Sequence, residues 1–370
     1  MPGFVPPAYP HDRLGELATI AAGHEGGMVD LSVGMPGDPP PPEVIAALAG
    51  SGAERGYPPS IGSPAYREAA AAWMHRRFAV EVEAANVAAC IGTKELVVGL
   101  PHWLRLRRPE RDTVLYPAVS YPSYAMGAVL AGCRPVPVAL DGQWRLDPAS
   151  IDPADAARAL CLWSNTPGNP AGGLDDLVAV VAWGRDHDVV VASDECYAEL
   201  TWDGPPRSIL QSGSDGVLAL HSLSKRSNLA GLRAGFYAGD PELVAYLSEV
   251  RKHAGFMVPG PVQAAAVVAL GADDHAAAQA RRYRHRLARA QEILGRALDL
   301  EVAMPGGGIY LWLAAPGGDA WALARHLATD AGCLVAPGDF YGPAGAGHVR
   351  AAMVVPEERL ELVARRLGVA

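Results

Sequence analysis

Lysine is nearly missing from this chain: of 31 basic side chains in 370 residues, only Lys94, Lys225 and Lys252 are lysines, and the rest are arginines. Where arginine meets every general need for positive charge, a retained lysine points to work that only an amine does, such as carbonyl condensation, with chance persistence on the surface as the alternative. Basic runs are missing too, and the formal net charge is −9, which argues against a nucleic-acid partner. Cysteine is sparse: Cys90, Cys133, Cys161, Cys196 and Cys333 are widely spaced with no C-x-x-C pair. That spacing fits reduced thiols better than a disulfide framework or a zinc site. The eleven histidines form no ligand cluster, so no metal is expected. No apolar run reaches membrane-spanning length, and "MPGFVPPAYPHDRLGELATIAAG" lacks a basic segment followed by an apolar core. A cytoplasmic location with no membrane partner is expected.

What is present is a globular composition, 50% hydrophobic, enough for a large core in one big α/β unit or two domains. Short apolar runs alternate with amphipathic segments, the pattern of a mostly parallel sheet covered by helices. Strands are expected at "TVLYP" (113–117), "ALCLW" (159–163), "VVVASD" (189–194), "VLALHS" (217–222) and "AGFYAG" (234–239), with a helix over 174–188. After "VPGPVQ" a long Arg- and Ala-rich helix over about 273–298 precedes "GGGIYLWL" and a second α/β set. The expected division is a large domain at 41–261, a smaller one at 262–370, and an N-terminal arm at 1–40 packing with the smaller domain. "GDPPPPEV" (37–44) reads as a rigid connection into a helix.

Ligands of open α/β sheets bind outside the carboxyl ends of the strands. "SNTPGNPAGG", "SDECY" and "HSLSK" each follow a strand, and "GTKE" (92–95) opens a helix after "VAACI". Singly, each is an ordinary cap or turn. Together they supply a lysine that condenses with an aldehyde, an acid for a pyridine nitrogen and a phosphate cradle, the parts that pyridoxal phosphate needs. Lys225 would supply the amine and Asp194 the carboxylate. Tyr197 and Asn169 would hydrogen-bond the phenolic oxygen. Ser222, Ser224 and Arg233 would bind the phosphate, with Thr93 and Lys94 at a helix start offering N–H donors. Tyr121, in "SYPSY", would lie flat on the ring.

With these motifs, "LSVGMPGDP", "GYPPSIGSPAYREA", "NTPGNPAG", "AGLRAG" and "HVRAAM" make the chain resemble the class I/II pyridoxal-phosphate aminotransferases of fold type I over essentially its whole length. The resemblance implies a large α/β domain with a mostly parallel seven-stranded sheet and a smaller α/β domain. It also implies that Gly34 and Arg350 hold a substrate α-carboxylate and that Tyr57 reaches the phosphate of a neighbouring subunit, hence a homodimer acting on amino-acid and keto-acid substrates. One departure is Asn169-Pro170-Ala171-Gly172, where the family usually has N-P-T-G.

Within the family, "HSLSKRSNLAGLRAGFYAGD", "SDECYAELTW", "RKHAGFMVPGPVQAA" and "LVAPGDFYGPAG" resemble N-succinyldiaminopimelate aminotransferases, especially their actinobacterial form. That implies transfer from L-glutamate to N-succinyl-2-amino-6-oxopimelate. Such an acceptor has a distal carboxylate, for which Arg251 or Lys252 is the candidate; basic residues ending a helix are the plainer reading of that pair. Two rivals stand beside this reading. One is another pyridoxal-phosphate reaction, whether a different transaminase, a carbon–sulfur lyase or a secondary-metabolism enzyme. The other is an aminotransferase-like ligand sensor in a transcriptional regulator, which the acidic charge and the early start of the pattern at residue 31 disfavour.

Overall fold

Val87–Cys90 (β1), Thr113–Pro117 (β2), Arg134–Val138 (β3), Ala159–Asn165 (β4), Val190–Asp194 (β5), Val217–Ser222 (β6) and Gly235–Gly239 (β7) form one sheet in the order β1-β7-β6-β5-β4-β2-β3. Only β7 runs antiparallel to its neighbours. Strands covered on both faces must be apolar throughout, and β4, β6 and β7 are buried at every position. The pleat then sends alternate residues into two cores. Leu162, Val191, Ala219 and Phe236 belong to one, and Trp163, Ala192, Leu220 and Tyr237 to the other.

The strand β3 is absent from the expectations above because Pro135 and Pro137 interrupt its run; it is an edge strand paired only with β2, where missing N–H donors do little harm.

The computed structural model describes residues 4–369. One compact unit comprises Met35–Arg282 with Gly306–Gly308 and contains the sheet. Its helices are Pro42–Gly50 (α1), Pro64–Phe78 (α2), Thr93–Arg107 (α3), Ser123–Leu130 (α4), Leu177–Asp186 (α5), Leu223–Arg226 (α6), Pro241–His253 (α7), Gly260–Gly271 (α8) and the first part of Asp273–Leu298 (α9). Residues 262–282 thus lie in the larger unit, whereas the sequence division assigned them to the smaller. The physical reason is that Ala265, Ala266, Ala269 and Leu270 of α8 share a core with Val44 of α1 and Tyr66 and Ala70 of α2.

The second unit holds the described residues up to Gly34, Tyr283–Pro305 and the chain from Ile309 onward. Tyr310–Ala314 (β8), Ala336–Pro337 (β9) and His348–Ala352 (β10) form an antiparallel sheet in the order β9-β10-β8, accompanied by helices Ala320–Ala331 (α10) and Glu357–Arg366 (α11). Val29–Asp30 pairs in parallel with Cys333–Leu334. Among the described residues no helix is long and apolar enough to cross a membrane.

Candidate active site

The strand register assembles the expected residues along one edge of the large sheet. Gly235, at the start of β7, pairs with both Cys90 and Ser222, while Asp194 pairs with Asn165. The ends of β1, β6, β5 and β4 therefore lie side by side. The segments that follow them carry Thr93 and Lys94, Ser224 and Lys225, Tyr197, and Asn169. Cross-links join these segments: Thr93 Oγ1 lies 3.1 Å from Cys196 Sγ, and Lys94 Nζ lies 5.8 Å from the centre of the Tyr121 ring.

Asp194 is 6% exposed and accepts hydrogen bonds from the Tyr124 hydroxyl to Oδ2 at 2.9 Å and from the Cys196 N–H to Oδ1 at 3.3 Å. Burial pushes its carboxyl above the usual aspartate range, partly offset by those bonds. A buried carboxylate held by two hydrogen bonds at the end of a strand is a fixed negative group at the edge of the sheet. Asn165 completes the floor: its Nδ2 donates to the Asp194 carbonyl at 2.9 Å and its Oδ1 accepts from the Asn169 N–H at 2.8 Å.

Ser222 caps the one-turn helix α6, its Oγ accepting from the Ser224 N–H at 3.1 Å and lying 2.9 Å from the Ser224 hydroxyl. Lys225 sits one residue further on that turn. At Gly92, where α3 begins, φ is +67°, and a Cβ there would lie 2.2 Å from Arg233 Nη2. Only glycine leaves room for this guanidinium at the helix N-terminus, a combination of charge and N–H donors suited to a phosphate. With the buried Asp194 carboxylate, this cradle fits the charge and donor pattern of pyridoxal phosphate.

In the smaller unit, Arg350 is buried, donates from Nη2 to the Ser32 carbonyl at 2.6 Å, and stands 4.2 Å from the Tyr310 ring centre and 4.8 Å from that of Tyr341. Tyr310 and Arg350 share a sheet face, because Trp312 pairs with Arg350 and Tyr310 with Ala352. Gly34 joins them: a Cβ there would meet the Tyr310 hydroxyl at 2.2 Å. Gly34, Tyr310 and Arg350 thus form one cluster with a fixed cation.

Four contributors escaped the sequence reading: Tyr124, Asn165, Tyr310 and Tyr341. Tyr124 stands in the same "SYPSY" stretch as Tyr121, but it is Tyr124 that bonds Asp194, while Tyr121 packs edge-on against it at 6.1 Å. Register on β8 and β10 would have exposed Tyr310.

The expectation for Arg251 and Lys252 needs correction. Arg251 is 1% exposed and committed to Glu95, with Nη1 to Oε2 at 2.8 Å and Nη2 to Oε1 at 2.5 Å. Lys252 is exposed in the last turn of α7, its Nζ 3.5 Å from Glu249 Oε2 on the same helix. The Arg251 guanidinium is thus taken up by Glu95, and Lys252 has the surroundings of a helix-end residue. Glu95 also accepts from the Ile91 N–H at 2.9 Å, so the ion pair pins the start of α3 to α7. Arg251→Met should lower stability by about 3–5 kcal/mol, because one buried charge is left alone. Thermal melting would show it, and donor and acceptor KM values should move alike. Tyr57 is 97% exposed in the single chain.

The class I and II aminotransferase family model matches residues 26–367. The chain belongs to that family. Its members depend on pyridoxal phosphate, and the large mostly parallel sheet is that of the fold type I enzymes. This aminotransferase is 43% identical over 372 residues to the 4-dedimethylamino-4-oxo-anhydrotetracycline transaminase OxyQ of Streptomyces rimosus, covering 98% of this chain and 99% of that one. It is 45% identical over 370 residues to a probable aminotransferase of Mycobacterium tuberculosis, covering 98% and 85%. Among solved structures, a probable N-succinyldiaminopimelate aminotransferase from Thermus thermophilus superposes with a TM-score of 0.86 at 31% identity, covering 97% of this chain and 99% of that one.

Proposed function

We propose that this aminotransferase moves the amino group of L-glutamate to N-succinyl-2-amino-6-oxopimelate, forming 2-oxoglutarate and N-succinyl-diaminopimelate. The observation that carries the reading is the Lys225–Asp194–Arg233 constellation, set within segments that resemble N-succinyldiaminopimelate aminotransferases; the Thermus thermophilus neighbour supports it.

When bound, pyridoxal phosphate supplies a pyridinium electron sink. Asp194 holds a proton on the pyridine nitrogen by charge. Ser222, Ser224, Arg233 and the N–H groups at Thr93 and Lys94 bind the phosphate, with Tyr57 of a second copy added in a homodimer. Tyr197 and Asn169 would donate to the phenolic oxygen, and Tyr121 would lie against the ring. Arg350 and Gly34 take the substrate α-carboxylate. Lys225 Nζ would serve as the general base that takes the substrate α-proton. The same groups serve donor and acceptor in turn, in ping-pong order.

The likeness to OxyQ over almost the full length of both chains favours a second reading, a polycyclic ketone as acceptor. A half-reaction screen separates them. With 2-oxoglutarate as acceptor, kcat/KM for N-succinyl-diaminopimelate should exceed that for free diaminopimelate by at least about 10-fold, the size of one lost polar contact. Turnover of an oxo-anhydrotetracycline with no activity on the succinylated compound would transfer the assignment to the second reading.

A further inference from the structure

The buried Ser32 carbonyl is a meeting point for two donors from opposite ends of the chain. Arg350 Nη2 donates to it at 2.6 Å, and His11 Nε2 lies 3.3 Å from the same oxygen. A carbonyl only accepts, so the imidazole carries its proton on Nε2. Burial and, after it, the Arg350 charge hold the imidazole below its ordinary range, outweighing the Ser32 bond and the carboxylates of Asp30 and Asp12, so at neutral pH the ring is the neutral form with one donor. Ser32 is tied on every side: its N–H and hydroxyl both donate to Asp30 Oδ1, at 2.8 and 2.6 Å. Next to it, the Leu31 N–H donates to the Leu334 carbonyl and the Leu31 carbonyl accepts from the Ala352 N–H, each at 2.8 Å. His11 is held as firmly. Its ring stacks on Tyr9 at 5.6 Å and leans on Phe340 at 5.4 Å, and Arg13, two residues on, reaches Asp339 Oδ2 at 2.8 Å and stands over the Trp321 ring at 4.8 Å.

The rings of Tyr310 and Tyr341, at 4.2 and 4.8 Å, confine the Arg350 guanidinium, and its bond to Ser32 sets how it is rotated beside them. The Ser32 oxygen has two lone pairs. With His11 on one of them, it engages a single guanidinium nitrogen. With that lone pair vacant, the oxygen can draw in a second nitrogen of the planar fork, which turns the fork toward the backbone and away from an incoming carboxylate. A misaligned fork loses the paired geometry that makes guanidinium–carboxylate contacts strong. Such a role orients the substrate without touching the reacting carbon, so it acts on affinity and hardly on the rate at saturation.

We propose that His11 is a positioning residue for the substrate α-carboxylate, occupying one side of the Ser32 carbonyl so that the Arg350 guanidinium keeps the rotation that meets its ligand. This rests on the Arg350 role given under Proposed function, and the test separates the two.

The holoenzyme would be mixed with increasing L-glutamate in single-turnover runs, following the absorbance of the bound cofactor, for wild type, His11→Phe, His11→Gln and Arg350→Gln. His11→Phe keeps a ring against Tyr9 and Phe340 but has no donor. Its half-saturating glutamate concentration should rise by about 10-fold, with the saturating rate within about 2-fold of wild type. In His11→Gln the amide N–H can take the place of the imidazole Nε2–H, and the half-saturating concentration should return to within about 3-fold of wild type. A role in packing alone gives the opposite ranking, because glutamine lacks the ring. A wild-type value in His11→Phe, or a His11→Gln enzyme no better than His11→Phe, would therefore overturn the proposal. Should His11→Phe fail to fold, His11→Asn, whose amide stops short of the Ser32 oxygen, decides by the same comparison with His11→Gln. Arg350→Gln tests the reading beneath, and its half-saturating concentration should rise by about 30-fold or more. If it stays unchanged, the site reading itself has failed and the positioning role falls with it; a rise in Arg350→Gln with none in His11→Phe overturns the positioning role alone.

Discussion

Lys225→Ala should abolish transamination, lowering multiple-turnover rates by at least about 10⁴-fold, while the protein still binds pyridoxal phosphate. Two functions are lost together, the amine that is exchanged for the substrate's and the base that takes the α-proton, and general-base catalysis alone contributes up to about that factor. Binding survives because the remaining contacts come from elsewhere: Arg233 on the far side of Gly92, Ser222 at the cap of α6, and Asp194 at the end of β5. Two measurements check this. Equilibrium dialysis of the variant should show retained cofactor, and borohydride reduction of the wild-type holoenzyme followed by peptide mapping should label Lys225. Label on Lys94 or Lys252, or substantial turnover by the variant, would move the reactive amine elsewhere. The structure already gives the other two lysines other surroundings, Lys94 beside the Tyr121 ring and Lys252 beside Glu249.

What was readable in the sequence was whatever is encoded locally. The runs at 113–117 and 217–222 match β2 and β6 residue for residue, and 273–298 matches α9, since strand and helix periodicities are properties of short windows. The polar residues ending those strands were equally legible, because the end of a parallel strand predicts the edge of the sheet where it emerges. Partner choice across the chain was not. Arg251 was a candidate for a substrate carboxylate through its place in the Arg251-Lys252 pair just before the domain change; its actual partner, Glu95, is 156 residues away. Tyr121 and Tyr124 were indistinguishable by type, and only the three-dimensional placement of α4 selects Tyr124 for Asp194. The boundary after residue 261 failed for a related reason: the small apolar side chains of α8 fit either domain, and the core they join includes Val44, contributed from more than 200 residues earlier in the chain.

Asp194→Asn should leave the fold intact and lower kcat by about 10²–10³-fold, the size of effect seen when one preorganised electrostatic contact to a transition state is removed. The amide is nearly isosteric, its oxygen can accept from the Cys196 N–H, and the Tyr124 hydroxyl can turn to accept from the amide nitrogen, so neither present partner is stranded. What disappears is the negative charge that keeps the pyridine nitrogen protonated. The apo protein offers a control whose sign is opposite. There burial raises the Asp194 pKa above its unfolded value, so the stability it contributes is fully present below the ordinary aspartate range and is lost as pH rises through the raised folded pKa. Apo Asp194→Asn lacks that loss and should equal or exceed the wild-type apo protein in melting temperature at neutral pH, the advantage vanishing as pH falls into the aspartate range. A bound pyridinium reverses the balance, pulling the carboxyl back toward its ionised form, so the holoenzyme should lose the most from the substitution at neutral pH. Near-normal kcat in Asp194→Asn would reduce this residue to a cap for the turn at Cys196, and equal pH profiles of the two apo proteins would show that the carboxylate is not held against its desolvation.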